Sequence, residues 1–289
     1  MIAIWLKALR VKHWIKNFFV LAPFLASYQF GFNVYLVKSV AGFFLFCLLS
    51  SAVYLFNDLI DIDSDRLHPE KKSRPIAAGE ISIFQARSVS FLLASLSLLI
   101  SFQLHHYFFF CLLAYAINNV LYSFWLKNIT IIDIISIAVG FVLRTYAGGV
   151  LVDVVVTNWM IASVFCLSLL LGFGKRRAEF ENLQDNAVMT RKVLKSYDIS
   201  KLNLLLGVSA SITIVTYMLY SLAPETKALH NTDNIIFTTP FVVYCVFRYL
   251  FKIQEKDRGS GPVEIILHDK AFCLVGLLWL FSLLIIIHS

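Results

Sequence analysis

The most regular feature of this sequence is a succession of long apolar segments separated by short polar ones. Most of the apolar segments are close to the roughly 20 residues that an α-helix needs to cross a bilayer. They predict nine spans, near residues 17–31, 34–56, 83–103, 106–125, 129–151, 155–173, 203–222, 235–251 and 270–287. The longest polar stretches, residues 57–82 and 174–202, are too short to build a core of their own. The pattern therefore predicts an all-α integral membrane protein in which residues 1–289 form a single domain.

Composition and charge support a membrane protein and predict its orientation. Only 15% of the 289 residues are charged, whereas soluble domains average about 25%. With the N-terminus on the cytoplasmic side, that side collects 22 of the 25 Lys and Arg residues, as the positive-inside rule requires. We expect the cell membrane as the location, with the N-terminus and both polar loops cytoplasmic. The net charge of +7 is then mainly a topology signal that suits anionic lipids and phosphorylated substrates and requires no nucleic acid.

The N-terminal segment and the cysteines argue against a signal peptide, a disulfide-rich fold and a zinc site. Residues 1–16 form a basic amphipathic pattern, which is typical of a segment lying on the membrane surface rather than of a signal peptide. The five cysteines are odd in number and all fall within or beside apolar segments. They show no disulfide framework and no zinc-binding spacing.

Four carboxylates follow at the point where the second apolar segment ends. The sequence there reads Asn57-Asp58-Leu59-Ile60-Asp61-Ile62-Asp63-Ser64-Asp65. At the C-terminus of a helix, clustered acids need a compensating cation, because the helix dipole is already negative there. Spacings of three and four residues put Asn57, Asp58, Asp61 and Asp65 on one helical face and leave Asp63 on another. Oxygen ligands too few to enclose an ion suit Mg²⁺ that also binds water and phosphate, so these four are predicted metal ligands.

Basic residues follow the acids within the same polar loop. Mg²⁺ on Asp58, Asp61 and Asp65 would bridge diphosphate oxygens while cations grip the remaining oxygens. The predicted cations are Arg66, Lys72 and Arg74. The second polar loop begins with another charged group, Lys175-Arg176-Arg177-Ala178-Glu179, in which Lys175, Arg176 and Glu179 suit an additional phosphate. For both loops the alternative is a solvated, topology-setting segment.

Arg144 lies within an apolar segment, where an arginine is costly unless it meets an anion or a water-filled cavity. Asp133 lies eleven residues earlier on roughly the same face, but about 16 Å of helical rise is too far for direct contact. We therefore expect Arg144 and Asp133 each to find a partner elsewhere. Tyr122 and Lys127 close the preceding segment, and Lys16 and Asn17 precede the first one.

The acidic motif is similar to one in a known family. The pattern Asn57-Asp58-x-x-Asp61-x-x-x-Asp65-Arg66-x-His68-Pro69-x-Lys71-x-x-Arg74-Pro75-Ile76-Ala77-x-Gly79 resembles the first aspartate-rich motif of the UbiA superfamily of intramembrane prenyltransferases. Four further patterns favour the branch that transfers phosphoribosyl groups to polyprenyl phosphates of the decaprenyl type. They are Trp14-x-Lys16-Asn17, Tyr122-Ser123-x-x-Leu126-Lys127, Gly140-Phe141-x-x-Arg144-x-x-Ala147-Gly148 and Gly174-Lys175-Arg176-x-x-Glu179.

The resemblance implies a helical bundle of nine transmembrane helices with an active-site cavity facing the cytoplasm. It also implies transfer of a 5-phosphoribosyl group from phosphoribosyl diphosphate to a polyprenyl phosphate lipid, with Mg²⁺ as cofactor and diphosphate as the leaving group. Asp58, Asp61 and Asp65 would be catalytic, with Asn57 as a further metal ligand. The substrate-binding residues would be Lys16, Asn17, Arg66, His68, Lys72, Arg74, Tyr122, Lys127, Arg144, Lys175, Arg176 and Glu179. An oligomer is compatible with the resemblance.

Two other functions remain open from the sequence. Aromatic prenyltransferases of the superfamily usually carry a second aspartate-rich motif after the sixth span, where this chain has Lys175-Arg176-x-x-Glu179. Glu181 and Asp185 are four residues apart and would imitate that motif, which keeps an aromatic prenyltransferase as the alternative. A transporter of anionic metabolites would also place acids and Arg144 in the membrane, and broken helices in related halves would distinguish it.

Overall fold

The computed structural model describes residues 1–27, 30–31, 33–68, 71–182, 196–254 and 268–288. Every regular element within these ranges is a helix. The α-helices in chain order are α1 (Ile2–Ala8), α2 (Ala22–Leu25), α3 (Val34–Ile60), α4 (Ile62–Leu67), α5 (Ile83–Leu104), α6 (His106–Phe124), α7 (Ile132–Leu151), α8 (Asn158–Asn182), α9 (Ile199–Leu222), α10 (Pro224–His230), α11 (Thr239–Gln254) and α12 (Lys270–His288). The prediction of an all-α protein is confirmed for the described residues.

Eight helical segments in the described ranges are long and apolar enough to cross a membrane. Seven are α3, α5 to α9 and α12, and the eighth is α11 together with the short 3-10 helix that precedes it, Asn234–Gln254. These segments correspond to eight of the nine predicted spans. The predicted span at residues 17–31 differs, because it begins inside a 3-10 helix, Val11–Val20, and continues into the four-residue α2.

The contacts divide the chain into two compact units. The first contains α1, α3 to α6 and the part of α7 from Leu143 onward, and the second contains the earlier part of α7 and α8 to α12. In the first unit α3 and α5 pack closely through small polar residues, as membrane helices commonly do. The hydroxyl of Ser90 donates to the carbonyl of Ala52 at 2.8 Å, and that of Ser97 donates to the carbonyl of Leu45 at 2.8 Å.

The N-terminal segment, which has the amphipathic pattern of a surface segment, also packs against other parts of the first unit. Ala8 of α1 belongs to a core cluster with Leu55, Ile76, Ile81 and Ala86. The ammonium of Lys7 also donates to the carbonyl of Ser73 at 2.6 Å. The segment is therefore packed against α3 and against the polar loop that follows it.

In the second unit α8 continues as a helix beyond the apolar segment that predicted it. The predicted span ends at residue 173, whereas α8 reaches Asn182, because the following Lys, Arg, Ala and Glu residues are good helix formers. Gly174 permits a close approach to α11, since a Cβ atom there would lie 1.8 Å from the hydroxyl of Tyr249. The start of the predicted loop at residues 174–202 is consequently helical, and residues 183–195 of that loop lie outside the described residues.

Candidate active site

The acids at the end of α3 meet an arginine from the loop that follows them. Arg74 directly precedes a turn at Pro75 to Glu80, in which Gly79 has φ +78°. Arg74 Nη1 lies 2.9 Å from Asp58 Oδ1 and 2.5 Å from Asp65 Oδ2. Both carboxylates are buried. Two acids seven residues apart thus bind the same nitrogen of one guanidinium.

Arg10 is a second cation at Asp58. Its Nη2 lies 2.5 Å from Asp58 Oδ1, and its guanidinium lies 4.7 Å from the centre of the Tyr54 ring, a cation–π distance. The backbone of Arg10 is left-handed, at φ 51° and ψ 47°, which is uncommon for a residue other than glycine. We call Asp58, Asp65, Arg74 and Arg10 the Asp58 cluster.

Asp61 makes a separate set of contacts. It lies at the one-residue break between α3 and α4, and its Oδ1 is 2.5 Å from Lys127 Nζ. Its Oδ2 accepts a hydrogen bond from Asn57 Nδ2 at 3.2 Å, and Asn57 Oδ1 accepts one from the Ser123 hydroxyl at 3.1 Å. The structure therefore divides the predicted metal ligands into two pairs, Asp58 with Asp65 and Asn57 with Asp61.

Of the remaining candidates in the first loop, Arg66 and Lys72 are exposed to solvent and His68 is buried. Arg66 is half exposed and donates from Nε to the carbonyl of Ala77 at 3.3 Å. Lys72 is exposed, whereas His68 is buried and its Nδ1 accepts from the amide of Lys71 at 3.4 Å. Asp63 is 93% exposed, which confirms that it points away from the other acids.

Arg144 lies buried within α7 and binds uncharged groups of the first unit. Its Nε donates to Asn17 Oδ1 at 2.7 Å, and its Nη2 donates to the Tyr115 hydroxyl at 2.8 Å. Asn17 in turn donates from Nδ2 to the hydroxyl of Ser50 at 3.2 Å. Two predicted substrate-binding residues thus lie in direct contact. Lys16 and Tyr122, also predicted, are half-buried.

The Asp58 cluster suits a divalent metal ion by the chemistry of its ligands. Mg²⁺ is commonly held by one or two carboxylates, with waters and substrate phosphates completing its octahedron. Asp58 and Asp65 supply two carboxylates that already converge on one cation. Within the described ranges no three His, Cys, Asp or Glu side chains are grouped closely enough to hold a metal by themselves. Two convergent carboxylates fit a Mg²⁺ ion that takes its remaining ligands from water and phosphate.

The second unit contains a different ion-pair group, at the start of α7 and the end of α8. Arg176 Nε lies 2.7 Å from Asp133 Oδ2, and Arg176 Nη1 lies 2.5 Å from Glu179 Oε2. Glu179 Oε1 is 3.8 Å from Lys175 Nζ. We call these four residues the Arg176 cluster. Arg144 and Asp133 thus have different partners, as the length of the helix between them predicted.

The Arg176 cluster is held by a strained loop. Ile131 has φ +71°, a rare conformation for a β-branched residue, and its amide donates to the hydroxyl of Tyr197 at 2.9 Å. Burial raises the pKa of Tyr197, and nearby Asp133 raises it further while Arg176 opposes the change. The hydroxyl therefore stays protonated at neutral pH.

Glu181 forms an ion pair with Arg177 at the end of α8. Arg177 binds it with Nη2 at 2.9 Å from Glu181 Oε1, and also donates to Asn203 Oδ1 at 2.8 Å and to the carbonyl of Ile253. Arg177 thereby joins α8, α9 and α11. Asp185, the other member of the acidic pair considered above, lies outside the described residues.

Three residues that contact the candidate site residues have no distinctive signal in the sequence. Arg10 is one of several N-terminal cations, and Ser123 is one of many serines in or beside the apolar segments. Tyr115 gave no signal, because one tyrosine in an apolar segment is ordinary. Their roles depend on which helices become neighbours, which no local pattern indicates.

Comparison with known proteins gives relatives along nearly the whole chain. The decaprenyl-phosphate phosphoribosyltransferase of Mycolicibacterium smegmatis is 33% identical over 286 residues, covering 95% of this chain and 89% of the relative. The protein of that name from Mycobacterium tuberculosis H37Rv is 30% identical over 278 residues, covering 95% of this chain and 91% of the relative.

Solved structures of other proteins have a similar fold. The structure of a UbiA homologue from Archaeoglobus fulgidus bound to GPP and Mg²⁺ aligns with a TM-score of 0.73 at 20% identity, covering 99% of this chain and 100% of the other. At that identity the likeness concerns the fold. The profile described as the UbiA prenyltransferase family matches residues 17–267. The chain therefore belongs to the UbiA prenyltransferase family and is a multi-pass membrane transferase.

Proposed function

We propose that this protein transfers a 5-phosphoribosyl group from phosphoribosyl diphosphate to a polyprenyl phosphate of the decaprenyl type, releasing diphosphate. The relatives named as decaprenyl-phosphate phosphoribosyltransferases support this reaction, because they match 95% of the chain. The observation that carries the choice of donor is the Arg176 cluster. Phosphoribosyl diphosphate has a 5-phosphate that prenyl diphosphates lack, and Lys175, which is 46% exposed, offers that phosphate a cation.

Mg²⁺ is the proposed cofactor, held by Asp58 and Asp65 together with Asp61 and Asn57. When bound, the ion neutralises negative charge that develops on the diphosphate leaving group. The first loop supplies further positive charge to the diphosphate through Arg66, Lys72 and Arg74, with His68 beside them. Arginine suits this role because its planar guanidinium can bind two phosphate oxygens at once.

The other two groups of the proposed site bind the sugar and the acceptor. Lys175, Arg176 and Glu179 hold the ribose 5-phosphate half of the donor, Lys175 and Glu179 by direct contact and the buried Arg176 through its ion pair with Glu179. The acceptor phosphate is bound by cations and polar groups of the first unit, namely Lys16, Asn17, Tyr122, Lys127 and Arg144. The cations in these two groups match the negative charge of the phosphates, the uncharged side chains can donate hydrogen bonds to them, and the carboxylate of Glu179 can accept hydrogen bonds from ribose hydroxyls.

The reaction itself is a single displacement. An oxygen of the lipid phosphate forms a bond to the anomeric carbon of ribose as the bond from that carbon to diphosphate breaks. The acceptor is already anionic at neutral pH, so no general base is required. Catalysis then depends on positioning and on charge stabilisation, and the configuration at the anomeric carbon inverts.

We also propose that the active-site cavity faces the cytoplasm in the cell membrane, because most of the Lys and Arg residues lie on that side of the predicted topology. The ninth membrane element would be the predicted span near residues 17–31. Its described part, the end of the 3-10 helix Val11–Val20 followed by α2, has an irregular backbone that other protein segments must cover. The close approach of α7 supports this, since a Cβ atom on Gly148 would lie 2.0 Å from the carbonyl oxygen of Val20. The same proposal includes a single transmembrane domain surrounded by membrane lipids.

A paired labelling assay tests the proposed reaction. Purified protein is incubated either with labelled phosphoribosyl diphosphate and polyprenyl phosphate, or with labelled prenyl diphosphate and a phenolic acid. We expect label in the lipid only from the first pair, and loss of that product when EDTA removes Mg²⁺. Product from the second pair alone would make the protein an aromatic prenyltransferase. Substrate crossing sealed vesicles with no product would indicate a transporter.

A further inference from the structure

The Arg176 cluster includes one acid that lies outside α8, and the proposed reaction gives it no role. Asp133 is 0% exposed and Arg176 is 1% exposed, whereas Glu179 is 24% exposed and Lys175 is 46% exposed. Exposure therefore rises steadily along the ion pairs from Asp133 to Lys175. Within this cluster a ligand can reach Lys175 and Glu179, and Asp133 acts on such a ligand through the side chains between them.

The contacts of Arg176 explain how a buried acid can influence the exposed end. Arginine has a rigid planar guanidinium, so binding Nε to Asp133 also sets the direction of its other nitrogens. Nη1 then meets Glu179 Oε2 at 2.5 Å, three residues further along the same helix. Because α8 fixes both backbones, the side-chain orientation of Glu179 depends on where Asp133 holds Arg176.

Asp133 is itself held firmly. It lies in the first turn of α7, where the helix dipole favours a negative charge. The residue two positions earlier, Ile131, has the positive φ described above, and strain of this kind persists only where surrounding contacts maintain it. The hydrogen bond from its amide to Tyr197 is one such contact. The cluster is therefore anchored at the Asp133 end and accessible at the Lys175 end.

We propose that Asp133 is a positioning residue for the ribose 5-phosphate half of the donor. It holds Arg176, Arg176 orients the carboxylate of Glu179 toward the ribose hydroxyls, and Glu179 directs the ammonium of Lys175 toward the 5-phosphate. This inference rests on the proposed function, because it assigns a sugar phosphate to the accessible end of the cluster. The diphosphate half of the donor is bound by other residues and does not depend on Asp133.

The experiment compares binding of two fragments of the donor to the full-length protein in detergent. Inorganic diphosphate and ribose 5-phosphate are titrated separately against the wild type and Asp133→Asn, which removes the charge and keeps the shape. We expect at least a tenfold weaker Kd for ribose 5-phosphate and a change of less than twofold for diphosphate. The KM for phosphoribosyl diphosphate should rise by a similar factor, with a smaller change in kcat.

A matched control is Asp153→Asn. Asp153 is exposed and has φ +55°, a conformation that asparagine tolerates well, so this variant should bind both fragments as the wild type does. The effect of Asp133→Asn should also be much smaller when Glu179→Gln is already present, because residues that act through one another are not additive. Full additivity of the two substitutions would overturn the proposal.

Loss of one member of a buried ion pair destabilises a protein, so a second variant is needed if Asp133→Asn does not fold. Asp133→Asn combined with Arg176→Gln removes both charges together. This double variant should fold and still bind ribose 5-phosphate at least tenfold more weakly, since Glu179 has lost the side chain that orients it. Unchanged binding of ribose 5-phosphate, or equal weakening of both fragments, would overturn the proposal. Failure of the wild type to bind ribose 5-phosphate would overturn the proposed function as well.

Discussion

The Asp58 cluster and the Arg176 cluster have the same basic arrangement, an arginine between two carboxylates, but they differ in the exposure of that arginine. Arg74 is 24% exposed and Arg10 is 20% exposed, whereas Arg176 is 1% exposed. A partly exposed arginine can leave its carboxylates and be hydrated, and another cation can take its place. A fully buried one has no such alternative, because an unpaired charge inside a protein is very costly.

The arginine–carboxylate pairs therefore have different roles in the two clusters. In the Asp58 cluster the arginines balance the negative charge of the two carboxylates when no metal is bound, and they remain near enough to bind phosphate. In the Arg176 cluster the arginine is a permanent part of the structure. We therefore expect substitutions in the first cluster to change metal and donor binding, and substitutions at Arg176 to change stability.

The largest expected effect tests the metal site directly. Asp58→Asn should reduce phosphoribosyl transfer by about 1,000-fold or more, since it removes one of the three carboxylates proposed to hold the ion. The labelled-donor assay measures the rate, and the melting temperature in detergent checks folding. Asp63→Asn, in the same motif but on an exposed side chain, is the matched control and should retain activity. Full Mg²⁺-dependent activity of Asp58→Asn would contradict the assignment.

The next prediction concerns the permanent cation. Arg176→Ala should lower the free energy of unfolding by about 3–5 kcal/mol, because it leaves Asp133 charged and buried without its partner. Thermal unfolding in detergent measures the loss, which should be the same with Mg²⁺ or with EDTA. A melting temperature equal to that of the wild type would show that the buried pair is not important for stability.

Arg74→Ala should show the opposite dependence on metal. We expect the KM for phosphoribosyl diphosphate to rise by about 10- to 100-fold, because the variant loses one or two charge-assisted hydrogen bonds to the donor. The variant should be less stable than the wild type in EDTA and close to it in Mg²⁺, since the ion replaces the missing positive charge. If its stability were independent of Mg²⁺, the two clusters would not differ as proposed.

The smallest effect is expected at the accessible end of the Arg176 cluster. Lys175→Ala should raise the KM for phosphoribosyl diphosphate by about tenfold and leave the KM for the lipid phosphate unchanged. Its melting temperature should hardly change, because exposed ion pairs contribute about 0–1 kcal/mol. Lys201→Ala, at another exposed lysine paired with an acid, is the control. An equal rise in both KM values would assign Lys175 to a shared phosphate site.

The membrane helices could be predicted from the sequence because their signal is local. A run of apolar residues is sufficient to favour insertion, so eight spans appear near their predicted positions. The ends were less predictable. Hydropathy changes at residue 173, but α8 continues to Asn182, since backbone hydrogen bonding does not stop where the bilayer signal stops. For the predicted span at residues 17–31, the described residues include the end of a 3-10 helix and the four-residue α2, a local geometry that apolar composition does not indicate.

The candidate site was predictable in its residue types and less so in its pairings. The isolation of Asp63 followed from spacing, whereas the residues predicted to share one helical face divide into two pairs with separate partners. The assignment of Arg74 and Arg10 to Asp58, and of Lys127 to Asp61, did not follow from spacing, because each pairing depends on a turn or on a neighbouring helix. The spacing of Asp133 and Arg144 excludes a direct contact between them. It does not indicate that the partner of Asp133 is Arg176, which lies 43 residues away in sequence.

By itself the sequence determined that this chain is a helical membrane protein with an acidic motif at the end of its second apolar segment. Those properties depend on composition and on spacings of three and four residues, which act over one or two helical turns. Tertiary structure alone decided which cation neutralises which acid and how much water reaches it. The free energy of a charge depends on its distance from other charges and on burial, and both are set by residues far apart in the chain.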